Sequence, residues 1–248
     1  MIKQYLIRKN KILLGIKNTY LNPKGNIYQP EMFWDNFFKN GINDSKTISP
    51  IKGMFLSMYH YTSIEQIILR YLHNNSIITS SVLDIGSGAG HWIKFYQSLG
   101  VTTTGIDVSN IAIKYLNDTF EGKFIQGQVP QVFSSCEEAF DIINAIGVMF
   151  HIIDDNDWKN TIVEISKRLL PNGIFITSGQ FGCINGVNVQ IDKNGNINKR
   201  LRSKNKWRKT LKEAGFSKVK FYKNKAYLNI NDTMPENNIL IATKKKRV

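Results

Sequence analysis

A chain of 248 residues is long enough for one α/β domain with a sizeable core and an added cap, and too short for two such domains. Its two cysteines exclude a disulfide framework and suit a reducing, cytoplasmic setting, and neither a secretory leader nor an apolar run of membrane-spanning length is legible. A formal charge of +14, with only 19 Asp and Glu, points the search for partners toward anions: nucleic acid, a membrane surface or an acidic small molecule.

The first fifty or so residues show no sheet pattern. Basic residues interleaved with Ile12, Leu13, Leu14 and Ile16 fit a surface-seeking helix. Residues 30–38 are dense in aromatics at helical spacing, which fits a lid over a pocket or packing on the domain's side. Thr62 and Glu65 make a capping box that predicts a helix start at Thr62, with Ile64, Ile67, Ile68, Tyr71 and Leu72 on its apolar face. Residues 1–61 are therefore expected to form an N-terminal helical lid, with Tyr59, His60 and Tyr61 in the connection to a domain spanning 62–248.

Residues 82–85 read as a buried parallel strand that breaks into Gly86-Ser87-Gly88-Ala89-Gly90 and runs on into a helix marked by Trp92, Phe95 and Leu99. Glycines in such a turn let the backbone approach a ligand closely. The spacing is not that of a dinucleotide turn, whose third glycine would stand at His91. The Asp84 carboxylate, at the strand's end, favours a cationic group and would repel a pyrophosphate. A second strand, residues 101–106, delivers Asp107 to its tip, where a carboxylate can accept both hydroxyls of a ribose; its alternative task is to cap the helix starting near Ser109.

Residues 123–126 predict a third strand, followed by Gln128 and Val129, and residues 140–146 a fourth, whose exit presents Asn144, Ala145, Ile146 and His151. His151 is either a general base working near neutral pH or a loop-orienting side chain bonded to Asp154 or Asp155. A helical stripe through Trp158, Ile162, Ile165 and Leu169 ends at a turn over 170–173 before a fifth strand at 174–177. Alternation over 187–192, the Asn194-Gly195 signal and alternation over 197–202 predict a hairpin carrying Lys199, Arg200 and Arg202. Ser203 caps a helix bearing Lys206 and ending at Gly215, and two strands, 219–222 and 239–243, close the chain before a basic tail.

The Asp84-x-Gly86-x-Gly88-x-Gly90 turn followed by Asp107 resembles the first two motifs of the class I S-adenosylmethionine-dependent methyltransferases, and the likeness runs from about residue 62 to 243. It implies a doubly wound, Rossmann-like, seven-stranded and mostly parallel sheet; the hairpin read above, inserted over about 180–203 after the fifth strand, departs from the minimal domain. The implied cofactor is S-adenosylmethionine, with S-adenosylhomocysteine as product and no metal. Carried onto this sequence, its contacts fall on Asp84, Gly86, Ser87, Gly88, Gly90 and Trp92 around the turn, and on Asp107 and Val108 at the ribose. Gln128 and Val129 fall at the adenine, and Ala145 and Ile146 near the transferred methyl. Gln128 stands where many relatives have an aspartate. Catalytic candidates are His151, Tyr59 and His60, and acceptor-binding candidates are Tyr61, Arg200, Arg202 and Lys206. The whole chain is similar to small-molecule enzymes of surface-glycan modification, so the expected reaction is O-methylation of an anionic, phosphorylated or nucleotide-activated precursor such as a capsule phosphoramidate. Methylation of RNA and a non-catalytic binding role are the alternatives.

Overall fold

The computed structural model describes residues 28–43, 53–181, 186–190, 197–223 and 237–245. The expected surface-seeking helix near Ile12, the Asn194-Gly195 turn, Cys183 and the last three residues of the basic tail lie outside them.

Helices α1 (Pro30–Phe38) and α2 (Gly53–Asn74) precede an alternating run: β1 (Ser81–Ile85), α3 (His91–Ser98), β2 (Thr102–Asp107), α4 (Asn110–Thr119), β3 (Lys123–Gln126), β4 (Phe140–Ile146), α5 (Asp155–Arg168) and β5 (Leu169–Gln180). A separate hairpin of β6 (Val187–Gln190) and β7 (Ile197–Leu201) follows, then α6 (Lys204–Glu213), β8 (Phe216–Lys223) and β9 (Asn237–Lys244). The main sheet has the order β3-β2-β1-β4-β5-β9-β8, and β9 alone runs against its neighbours. This is a doubly wound, seven-stranded α/β sheet. Its strand order reverses between β1 and β4, so a crevice opens above their carboxyl ends.

Central strands are buried on both faces, which is why they read as continuous apolar runs. Val82, Ile142, Ile174 and Ile176 pack with α2 and α3 through Ile64, Ile68, Tyr71 and Trp92 on one side. Leu83, Ile143 and Phe175 pack with Trp158, Ile162 and Trp207 on the other. The alternation follows from the two-residue repeat of a strand. Caps fix where the helices begin: Ser109 accepts from the Ala112 N–H, Ser203 from Lys206, and Asp154 from Asn156 and Asp157.

Two expectations are corrected. The helix that contains Thr62 begins at Gly53, so Thr62 lies mid-helix and the anticipated boundary at 61/62 falls inside α2. No helix breaker stands between Met54 and Tyr61, so the helix runs on through the capping signal, and Glu65 accepts instead from a ring nitrogen of His91 at 2.8 Å. The turn foreseen at 170–173 is a bulge within β5, where the register jumps from Phe140 opposite Leu169 to Ile142 opposite Ile174 and Asn172 takes a φ of 65°.

Candidate active site

The glycine turn is built so that only glycine serves. Gly86, Gly88 and Gly90 have φ of 73°, 51° and 79°, all left-handed. A Cβ on Gly86 would sit 2.3 Å from a methyl of Val148, and one on Gly90 2.4 Å from the Phe120 ring. The N–H groups of Gly86 and Ser87 both donate to the Ile106 carbonyl, which ties the turn to the end of β2. The Ser87 hydroxyl donates to the Asp84 carbonyl at 2.9 Å, so it braces the turn.

Two carboxylates stand beneath this turn at the tips of adjacent strands. Asp84 is 1% exposed; one oxygen accepts from Asn144 Nδ2 at 2.6 Å, and the other has no hydrogen-bond partner among the described residues. Burial pushes its pKa up to about 7. Asn144 is held opposite Asp84 by the β1–β4 register, and its own Oδ1 is also buried without a partner. Asp107 accepts from Gly88 N–H on one oxygen and Ser109 N–H on the other, each at 2.8 Å. Each oxygen retains a lone pair for a further donor. Burial raises its pKa to about 6, with the nearby Asp35 carboxylate adding to the effect.

Helix α1 lies over this end of the sheet. Asp35 accepts from the Ser109 hydroxyl at 2.5 Å and the Ile111 N–H at 3.3 Å, and Glu31 accepts from Gln126 at 3.1 Å. Between residues 28–35 on one side and Val108, Gly127 and Gln128 on the other is an open cleft of about 760 Å³. At its other end α1 sets Trp34 edge-on against His151, with ring centres 5.1 Å apart. The Trp34 N–H donates to the Tyr28 hydroxyl, whose pKa burial pushes up to about 12.

His151 follows the β4 exit, where Gly147 has a φ of 81° and open space around the position of a Cβ. Its Nδ1 lies 2.7 Å from the Asn198 carbonyl of β7. A carbonyl only accepts, so Nδ1 carries the proton and Nε2 keeps its lone pair. Burial holds the ring's pKa down at about 3. It is therefore neutral across the physiological range, which corrects the expectation of a group titrating near pH 7. Its anchor is Asn198, and neither Asp154 nor Asp155 holds it.

Several anticipated residues also have structural partners. Trp92 is 4% exposed and packs in the core against Tyr61 and Phe95, so its indole belongs to the α2–α3 interface. Val129 and Ala145 are buried in the core on the α5 side of the sheet, which leaves the β4 exit its half-buried Ile146. Tyr61 stacks on His91 with ring centres 3.5 Å apart. His60 lies on the buried face of α2, and Tyr59, 48% exposed, on its outer face. Arg200 and Arg202 both donate to Asp155, at 2.9 and 3.1 Å and at 2.8 Å respectively. The Arg202 side chain is only 1% exposed and also lies over the Trp158 ring, so it is a structural cation. Lys206 sits half-buried on α6. The sequence reading missed Asp35, whose signal is a single carboxylate set among the aromatics of α1.

Residues 82–173 match a family model described as a methyltransferase domain. The match covers the β1–β5 part of the chain, and the sheet built around it has the fold of the class I, S-adenosylmethionine-dependent methyltransferases. No curated protein matches the sequence. Among solved structures, it is similar to an S-adenosylmethionine-dependent methyltransferase from Clostridium acetobutylicum, with a TM-score of 0.63 and 12% identity over 86% of this chain and 99% of that one. It is similar also to the Burkholderia thailandensis 1,6-didemethyltoxoflavin-N1-methyltransferase bound to its substrate and S-adenosylhomocysteine (TM-score 0.62, 16% identity, 92% of this chain and 98% of that one). A third is the Haemonchus contortus phosphoethanolamine N-methyltransferase 2 in complex with S-adenosyl-L-methionine, with a TM-score of 0.60 and 14% identity over 89% of this chain and 61% of that one. At these identities the likeness is one of fold.

Proposed function

We propose that this protein transfers a methyl group from S-adenosylmethionine to an oxygen of an anionic small molecule. The observation that carries the reading is the left-handed glycine turn set over two buried carboxylates, with an unpartnered Asp84 oxygen beneath it and a cleft beside Asp107. Buried carboxylates without a counter-charge suit a ligand that bears a cation and a diol. Asp107 would hold the ribose, Val108 and Gln128 would border the adenine, and Asp84 with the Gly86–Gly90 backbone would favour the ammonium end. The bound cofactor supplies an electrophilic methyl, displaced in line from sulfur. The chain's own task is then to bring the acceptor oxygen to about 3 Å in line with that methyl and to keep water out.

Of the catalytic candidates, His151 fits best. Its neutral Nε2 can accept a hydrogen bond from a hydroxyl acceptor and orient it, and an ionised acceptor needs no stronger base. Tyr59 and His60 are assigned to the surface and the packed face of α2. The anionic acceptor is supported by the excess of cations on the hairpin and α6. The first compounds to test are nucleotide-activated or phosphorylated precursors of surface polysaccharides, such as a capsule phosphoramidate.

The test is thermal unfolding with S-adenosylhomocysteine, alone and with a panel of nucleotide-sugar compounds or RNA. At a hundredfold excess over Kd the expected stabilisation is about 2.7 kcal/mol. No shift refutes the reading and favours a silent binding member of the fold. A further gain with RNA that declines steeply with salt would reassign the acceptor to nucleic acid.

A further inference from the structure

We propose that Lys199 is the residue that recognises the acceptor's anionic group, a phosphate or carboxylate, beside His151. The proposal rests on the methyltransferase reading above and names the cation that reading requires. The hairpin strand β7 and the residue after it carry three cations, Lys199, Arg200 and Arg202, and the structure separates them. Arg200 and Arg202 converge on Asp155. Lys199 has no carboxylate within ion-pair distance among the described residues; its ammonium stands over the Phe150 ring, 5.4 Å from the centre. Phe150 and His151 are adjacent rings with centres 4.5 Å apart, and the residue preceding Lys199, Asn198, is the one whose carbonyl fixes the His151 tautomer. The imidazole beside it is neutral, so it neither neutralises the ammonium nor adds a second positive charge.

A lysine partly withdrawn from water with no counter-ion is costly, and proteins normally pair it. Burial holds the Lys199 pKa below its usual value, which is the mark of an ammonium lacking an anion. The two arginines alongside are balanced by Asp155 and the neighbouring Asp154, so the charge that meets an arriving oxyanion is that of Lys199 itself. The hairpin, the β4 exit and the lid tryptophan meet at His151, which puts this cation next to the expected line of transfer. A compact ammonium suits one oxyanion group as a point charge, without the fork that binds two oxygens in plane.

The test compares wild type, Lys199→Met, Lys199→Arg and Lys218→Met, the last a change of the same charge at an exposed position on β8. Each is melted with saturating S-adenosylhomocysteine and increasing inorganic phosphate or acetate. The wild type, K199R and K218M should gain stability from one of these anions, and K199M should keep the homocysteine shift while binding the anion about tenfold more weakly. An undiminished anion effect in K199M, or no anion effect in a wild type that responds to the homocysteine compound, overturns the assignment and leaves the methyltransferase reading standing. A wild type that ignores the homocysteine compound overturns both, and that arm is read separately. Should K199M fail to fold, K199R against Lys199→Gln gives the same comparison.

Discussion

Replacing Asp84 by Asn should stabilise the ligand-free protein while weakening cofactor binding. The carboxyl is 1% exposed, accepts one hydrogen bond from Asn144, and is raised by burial from 3.8 to about 7. Because its folded pKa lies above its unfolded value, its contribution is most favourable below about pH 4 and is lost as the pH rises through 7. Over that span the ionised form costs the fold about 4 kcal/mol, at about 1.4 kcal/mol per pK unit. Asparagine removes the charge, matches the shape and keeps an oxygen to accept from Asn144. The variant's advantage in urea unfolding should therefore be small at pH 4, grow to pH 7 and level off above it, reaching roughly 2–4 kcal/mol. Calorimetric titration with S-adenosylhomocysteine at pH 8 should show the opposite sign, with affinity down by about tenfold or more from the loss of a charged hydrogen-bond acceptor. A D84N protein less stable than wild type at pH 8, or an advantage that does not change with pH, would refute the argument.

Gly86→Ala forces a side chain into a left-handed position 2.3 Å from Val148, and should cost about 1–3 kcal/mol in thermal unfolding and abolish the homocysteine-induced shift. Asp155→Asn leaves Arg202 buried without a carboxylate, with only neutral oxygens as acceptors: the amide at position 155 and the carbonyls of Ile153 and Asp154; Asp155 is partly exposed, so the loss should be about 2 kcal/mol in chemical denaturation, below the range for fully buried pairs. Trp34→Ala removes the ring that meets His151 and the donor to Tyr28, and should weaken ligand binding several-fold in a fluorescence titration with little change in the melting of the ligand-free sheet. Unchanged affinity in that variant would show that α1 does not close the site.

Most of the sheet was legible because its strands are buried on both faces and its helices carry local caps: Ser109 and Ser203 sit at the starts that their sequence positions announce. The tips of β1 and β2 were legible for a different reason, since glycine at three left-handed positions and a carboxylate at each strand end have few structural substitutes. What the sequence hid were choices between equivalent partners. Arg200, Arg202 and Lys199 look alike in a basic strand, and only the position of Asp155 decides which two are tied down. The start of α2 was misread because a capping box states what a helix could use, and the continuous helix-compatible run before Thr62 made that cap unnecessary. Asp35 and Glu31 reach Ser109 and Gln126 across a fold whose closure no local pattern encodes.

The charges of the site are sorted along its length. Asp35, Asp84 and Asp107 gather at the carboxyl ends of β1 and β2 in a chain with far more cations than anions, and each of the two strand-tip carboxyls is raised by burial rather than relieved by a lysine or arginine. Lys199, Arg200 and Arg202 gather on and just after β7, the strand whose Asn198 carbonyl holds His151, with both arginines tied to Asp155. On the proposed reading, a cationic ligand is drawn to the strand-tip carboxylates and an anionic one to Lys199, and the neutral imidazole of His151 adds no charge to either. On that reading, such an arrangement would select acceptors by charge before any contact with the reacting atom is made. It also explains why the buried carboxylates are tolerated: their cost falls on the empty protein, and a bound cation removes it, so ligand affinity and the instability of the free state have the same origin.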